Sequence, residues 1–232
     1  MREIFVIALI GSTIQYGLTY NGLKGIDAST AALLIQLEGP MLALLSTILL
    51  KEKFGLTRAL GMGLALAGVC FIVGEPRLDG YLSSVFLLLS GSAVWAFSQI
   101  LISRLKGLSA ITILAWVAIM ATPQMLVGSL LIEDGQWQSI MTADLVDWSI
   151  IFYLAFIMTV LGYSVWYHLL SNVDVGKVSP FLMLLPVTSI IAGVVLLDEQ
   201  ITVVMIIGGL MIMTGVASTL VDWRWQKEQP NL

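Results

Sequence analysis

The chain has 232 residues, of which 58% are hydrophobic and only 11% charged, with a formal net charge of −4. A soluble domain carries about a quarter charged residues, and a mean hydropathy of +0.96 points to a bilayer as the solvent. No long basic stretch offers a surface to nucleic acid, one histidine excludes a His-rich metal set, and a single Cys70 cannot form an intramolecular disulfide.

Apolar runs near the roughly 20 residues needed to cross a membrane follow one another along the chain. Eight spans are expected, at 4–22, 28–50, 58–74, 81–103, 108–132, 149–170, 178–197 and 201–222. The first could be mistaken for a signal peptide. It lacks a small-x-small cleavage site and stays apolar through Tyr20, so it reads as a retained helix. Gln15 and Tyr16 lie midway along it, and Tyr20 follows Tyr16 by one turn on the same face.

The second span, "AALLIQLEGPMLALLSTILL" (31–50), holds Glu38 far from any other charge. A charged group near the midplane costs at least ~2.5–3.5 kcal/mol on insertion scales. Such a carboxyl either loads and releases a proton, faces a cationic substrate, or stays protonated and hydrogen-bonds a neighbouring helix. Pro40 frees a backbone carbonyl or kinks the helix, and Gln36, two positions before Glu38, points to a different face. The third span carries Gly61 and Gly68, seven apart, which suits close helix packing.

In the fourth span Ser92, Trp95 and Gln99 share a helical stripe. That stripe suits either the wall of a cavity for a small organic solute or the polar knitting of membrane helices. Trp116 in the fifth span invites the same two readings. Residues 133–148 form the longest break and read as a loop. In the sixth span Tyr163 and Tyr167 repeat the one-turn spacing of Tyr16 and Tyr20, either lining a cavity or belonging to an interfacial belt. His168 beside them is a proton-handling or a headgroup-level residue. Gly208 and Gly215 in the last span are again seven apart. Glu52 and Glu199 close their helices and pair by the repeat; both read as solvated or ion-paired ends, with a gating role as the lesser alternative.

Lysine and arginine set the orientation. With the N-terminus on one side, that side receives Arg2, Lys51, Lys53, Arg58, Arg104, Lys106, Lys177, Arg224 and Lys227. The other receives only Lys24 and Arg77, so both termini are expected in the cytoplasm. Trp137, Trp148, Trp223 and Trp225 fall near span ends, where amphipathic rings sit.

Sliding the chain on itself by 147 residues pairs Tyr16 with Tyr163, Tyr20 with Tyr167, Asp27 with Asp174 and Gly61 with Gly208. It also pairs Gly68-Val69 with Gly215-Val216, and "LLKE" (49–52) with "LLDE" (196–199). One shared offset marks an internal repeat. A first unit at 1–75 then holds three spans, a second at 77–222 holds five, and 223–232 is a cytoplasmic tail. An odd number of spans per unit turns the units antiparallel, the inverted-repeat plan of many secondary transporters.

The "LEGP" helix followed by "LLKEKFGLTRALGMGLALAGV" resembles the end of an EamA-type unit of the drug/metabolite transporter superfamily. "LLDEQITVVMIIGGLMIMTGV" looks like its second copy. The resemblance covers essentially the whole chain. It implies an all-α polytopic membrane protein of ten spans in two five-helix units, here with the first unit lacking two helices. It also implies movement of small metabolites or drugs, often outward. The expected function is therefore secondary transport of a small organic metabolite or drug in the plasma (inner) membrane. Candidate pathway residues are Glu38, Gln15, Tyr16, Gln36, Ser92, Trp95, Gln99, Tyr163, Tyr167 and His168. The expected partners are a small-molecule substrate and the lipid bilayer, with no cofactor and no metal, and a homodimer is an assembly the chain admits. The alternative is a shortened family member that does not transport alone. An enzyme is not expected: no GxxxxGK[ST] loop is present, and the aspartates all lie at span ends or loops.

Overall fold

The computed structural model describes residues 1–50, 55–75, 78, 80–105, 109–162, 165 and 184–228. Its helices are α1 (Arg2–Ala8), α2 (Gln15–Leu23), α3 (Ala28–Ile35), α4 (Glu38–Leu50), α5 (Leu56–Val73) and α6 (Leu82–Ser103). They continue with α7 (Ala110–Ile132), α8 (Gln136–Thr142), α9 (Leu145–Phe152), α10 (Leu184–Leu197) and α11 (Val203–Glu228). Two π-helical segments join them, π1 (Leu9–Ile14) between α1 and α2, and π2 (Tyr153–Gly162) after α9. No strand is present among the described residues.

Among the described residues, five apolar stretches are long enough to cross a bilayer: Arg2–Leu23, Ala28–Leu49, Leu82–Ser103, Ile111–Ile132 and Leu145–Gly162. Three shorter apolar helices, Ala59–Val73, Leu184–Leu197 and Val203–Ser218, fall where the remaining expected spans lie. A 22-residue helix rises about 33 Å, enough for a hydrocarbon core of about 30 Å.

The structure changes two local expectations. Residues 133–148 are not a plain loop, because α8 lies inside them and α9 begins at Leu145. The early start has a cause. Asp144 accepts from the N–H groups of Val146 (2.8 Å) and Asp147 (2.9 Å), and the Asp147 side chain accepts from Asp144 N–H (3.0 Å), a reciprocal capping box. The second span is not one helix. Gln36 N–H reaches Leu33 O (3.3 Å) and Leu37 N–H reaches Leu34 O (3.1 Å), three-residue bonds, before Met41 N–H to Leu37 O (2.9 Å) resumes the α pattern. Pro40 has no N–H to give the Gln36 carbonyl, so the α-helical ladder cannot run through this point.

The chain forms two compact units, Met1–Gln124 with Met183–Leu232, and Met125–Leu182. The core of the first gathers Leu33, Leu34 and Leu37 around α3 with Ala65, Val69 and Ile72 of α5, Val85 and Leu88 of α6, and Ile212 and Val216 of α11. Lipid is as apolar as these side chains, so close van der Waals packing and not escape from water holds them. The glycines supply the closeness. A Cβ at Gly61 would lie 2.7 Å from Gly215 O, and one at Gly68 would lie 2.7 Å from Gly208 O. The offset of 147 equates Gly61 with Gly208 and Gly68 with Gly215. The contact of Gly61 with Gly215 is thus the symmetry mate of that between Gly208 and Gly68. α5 and α11 therefore cross antiparallel about a local two-fold, the relation an inverted repeat requires. π1 and π2 also correspond in sequence, since Leu9–Ile14 shifted by 147 falls on 156–161, inside Tyr153–Gly162.

In the second unit Leu145, Val146, Ile150, Phe152, Phe156 and Val160 are all more than half exposed. So continuous an apolar surface suits acyl chains.

Candidate functional site

Glu38 opens α4 directly after the Gln36–Leu37 break, about midway along Ala28–Leu49. It is half-buried, and no hydrogen bond or ion pair to its carboxyl is present among the described residues. Gln36 does leave that face, its Nε2 lying 4.0 Å from Met213 Sδ on α11. Pro40 is fully buried.

The first span faces α6 through small residues. A Cβ on Gly11 would lie 2.6 Å from the Ser98 side chain, and one on Gly91 2.5 Å from Thr19 Oγ1. Gln15 is buried, and its Nε2 donates to Thr19 Oγ1 at 3.0 Å. Gln15 and Thr19 thus meet α6 at Gly91, one residue from Ser92. Ser92 is 1% exposed and its Oγ has no hydrogen-bond partner among the described residues. On the same stripe Trp95 and Gln99 are half-buried, and the Trp95 carbonyl accepts from Ser98 Oγ at 2.8 Å. Tyr16 and Tyr20 stack at 5.6 Å between centroids with planes 25° apart, on the exposed side of their helix. Tyr163, Tyr167 and His168 lie outside the described residues.

Sequence reasoning missed a second polar node at mid-span. Thr13 Oγ1, within π1, donates to Gln124 Oε1 at 2.9 Å, and Gln124 Nε2 donates to the Phe5 carbonyl at 3.3 Å. The available signal was an amide directly after Pro123, in the interior of α7. Glu199 was also misjudged. Its Oε1 accepts from Ala28 N–H (2.7 Å), and its Oε2 accepts from Ser29 N–H (3.0 Å) and from the Ser29 hydroxyl. It is a half-buried cap on α3 and not a solvated helix end. A partner 170 residues away leaves no local trace in sequence. Among the described residues no group of three or more His, Cys, Asp and Glu side chains could hold a metal ion.

Apolar helices long enough to span a bilayer, one of them broken at a carboxylate, define a multi-pass membrane protein. The sequence matches the EamA-like transporter family over residues 2–74 and 82–221, and the chain belongs to that family. A probable amino-acid metabolite efflux pump of Salmonella typhimurium is 29% identical over 227 residues, covering 92% of this chain and 76% of the relative. Its Escherichia coli namesake is 27% identical, covering 88% and 71%. An uncharacterized transporter of Bacillus subtilis is 25% identical, covering 93% and 74%. One crystal structure of a protein superposes with a TM-score of 0.64 at 17% identity, covering 97% of this chain and 79% of that one, a likeness of fold.

Proposed function

We propose that the chain is a secondary transporter of the plasma (inner) membrane, with both termini cytoplasmic, that exports a small organic metabolite or drug. It works by alternating access between inverted repeats at 1–75 and 77–222, with 223–232 as a cytoplasmic tail. The observation that carries the reading is the break before Glu38. Transporters place substrate and coupling-ion sites at discontinuous helices near the midplane, where unwound carbonyls and half-helix ends supply ligands. Glu38 is the proton- or cation-handling group. Gln15, Tyr16 and Gln36 contribute from the first two spans, Ser92, Trp95 and Gln99 from α6, and Tyr163, Tyr167 and His168 from the repeat. The names of the two efflux-pump relatives make amino-acid-like solutes the first substrates to try.

The test is uptake and efflux in proteoliposomes, with pooled amino acids and cationic dyes, with and without a pH gradient. Gradient-dependent movement of a solute is the expected result. Glu38→Gln is expected to slow it about tenfold, equivalent to about 1.4 kcal/mol of barrier. Unchanged rate and pH dependence in that variant would remove Glu38 from the coupling role.

A further inference from the structure

We propose that Gln124 is a positioning residue: its amide clips the π turn of the first span in place, and that turn sets the faces on which Gln15 and Tyr16 stand. The functional side of the inference rests on the transport reading above. Gln124 is half-buried and uses both ends of its amide on the first span. Its Oε1 accepts from Thr13 Oγ1 at 2.9 Å, and its Nε2 donates to the Phe5 carbonyl at 3.3 Å. The two contacts bracket the turn, because Phe5 lies in α1 just before π1 and Thr13 lies inside π1. The oxygen and nitrogen of one amide are fixed relative to each other. They therefore hold Phe5 and Thr13 at one relative height and rotation.

π turns are rare inside α-helices and concentrate at functional sites. This one is marked by the Gln15 N–H, which reaches the Ile10 carbonyl five residues back instead of four. A π turn takes up one residue more than an α turn. In an unbroken α-helix Ile4, Ala8 and Gln15 would share one face. With the extra residue, everything after Ile14 is turned relative to α1 by about one residue's step, ~100°. α1 keeps its own buried face of Ile4, Ile7 and Ala8. Beyond the turn, Gln15 bonds Thr19 and Thr19 lies against α6 at Gly91, while Tyr16 and Tyr20 stack on the exposed side.

The second π segment is held differently. The offset of 147 carries Thr13 to Val160 in π2, which has no hydroxyl. There the hydroxyl comes one residue earlier, and Thr159 Oγ1 donates to the Leu154 carbonyl, five residues back in the same helix, at 2.8 Å. π2 uses a bond within its own helix where π1 uses a side chain of α7. That side chain follows Pro123, whose missing N–H already interrupts the α7 ladder at the level of the clip.

The test uses the full chain and reads Tm in detergent micelles and amino-acid flux in proteoliposomes. Thr13→Val, Gln124→Leu and the double variant are compared. Each single variant is expected to lower Tm, and the double to lower it no further than the worse single, since both remove one network. Additive shifts would overturn the clip. Thr13→Ser keeps the hydroxyl and is expected to keep Tm and flux, and a fall as large as that of Thr13→Val would also overturn it. Gln124→Leu is expected to slow flux about tenfold. Deletion of Ser12 removes the extra residue without turning either flank. In the Gln124→Leu background that deletion is expected to restore Tm and flux, because no π turn is left to hold. Failure to restore them would overturn π1 as the link between Gln124 and the pathway residues. If no form moves amino acids, the transport reading fails, and the Tm comparisons still decide the clip.

Discussion

Gly61, Gly68, Gly208 and Gly215 show what a single hydrogen atom in place of a side chain does in this protein. At Gly68 a Cβ would stand 2.7 Å from the Gly208 carbonyl and 2.9 Å from Ile212 and Met211. Backbone cannot yield as the tip of a long side chain can. Gly68→Leu is therefore expected to destabilise by about 1–3 kcal/mol, the cost of overpacking. Gly63, five residues earlier on α5, has nothing within 4 Å of its would-be Cβ. Gly63→Ala is expected to stabilise by about 0.5–1 kcal/mol through helix propensity alone. Thermal unfolding in detergent micelles compares the two, and opposite shifts in Tm are the expected result. The seven-residue spacing of these glycines was legible in the sequence, because one helix face repeats every two turns. The Glu199 cap was not, because nothing local distinguishes a carboxylate facing water from one reaching another helix.

At the scale of an element, the second span is two half-helices joined at a proline-dependent break. The Gln36 carbonyl lacks an α-helical donor only because residue 40 is proline. Pro40→Ala supplies that N–H. One added backbone hydrogen bond is expected to raise stability by about 1 kcal/mol. Fusing α3 to α4 removes the hinge, so transport is expected to slow while Tm rises. Proteoliposome flux and Tm measured together check this, and a rise in both would show that the break has no part in transport. The proline and the carboxylate were visible as an oddity in an apolar run. Which residues unwind was not visible, since it depends on how Leu37 and Pro40 bury against their neighbours. π1 and π2 had no sequence signal at all, yet they fall at sequence positions 147 apart, and π-helical turns are frequent at functional sites.

For the whole molecule, the lysine and arginine distribution is the basis of the orientation. A fluorescent reporter that matures only in the cytoplasm, fused after Leu232, is expected to glow, and alkaline phosphatase inserted between Lys24 and Asp27 is expected to be active. The reverse pattern would invert the proposed orientation of the chain. The sequence by itself determined that the chain is a helical membrane protein and where its long apolar stretches lie. Each of these follows from composition and periodicity over about 20 residues, the thickness of a bilayer. Tertiary structure alone decided which polar groups meet across helices: Thr13 with Gln124, and Glu199 with the first turn of α3. In a medium without water a buried polar group gains by finding a partner wherever one lies in space. Separation along the chain does not limit that choice, so a residue 170 positions away can be the one that serves.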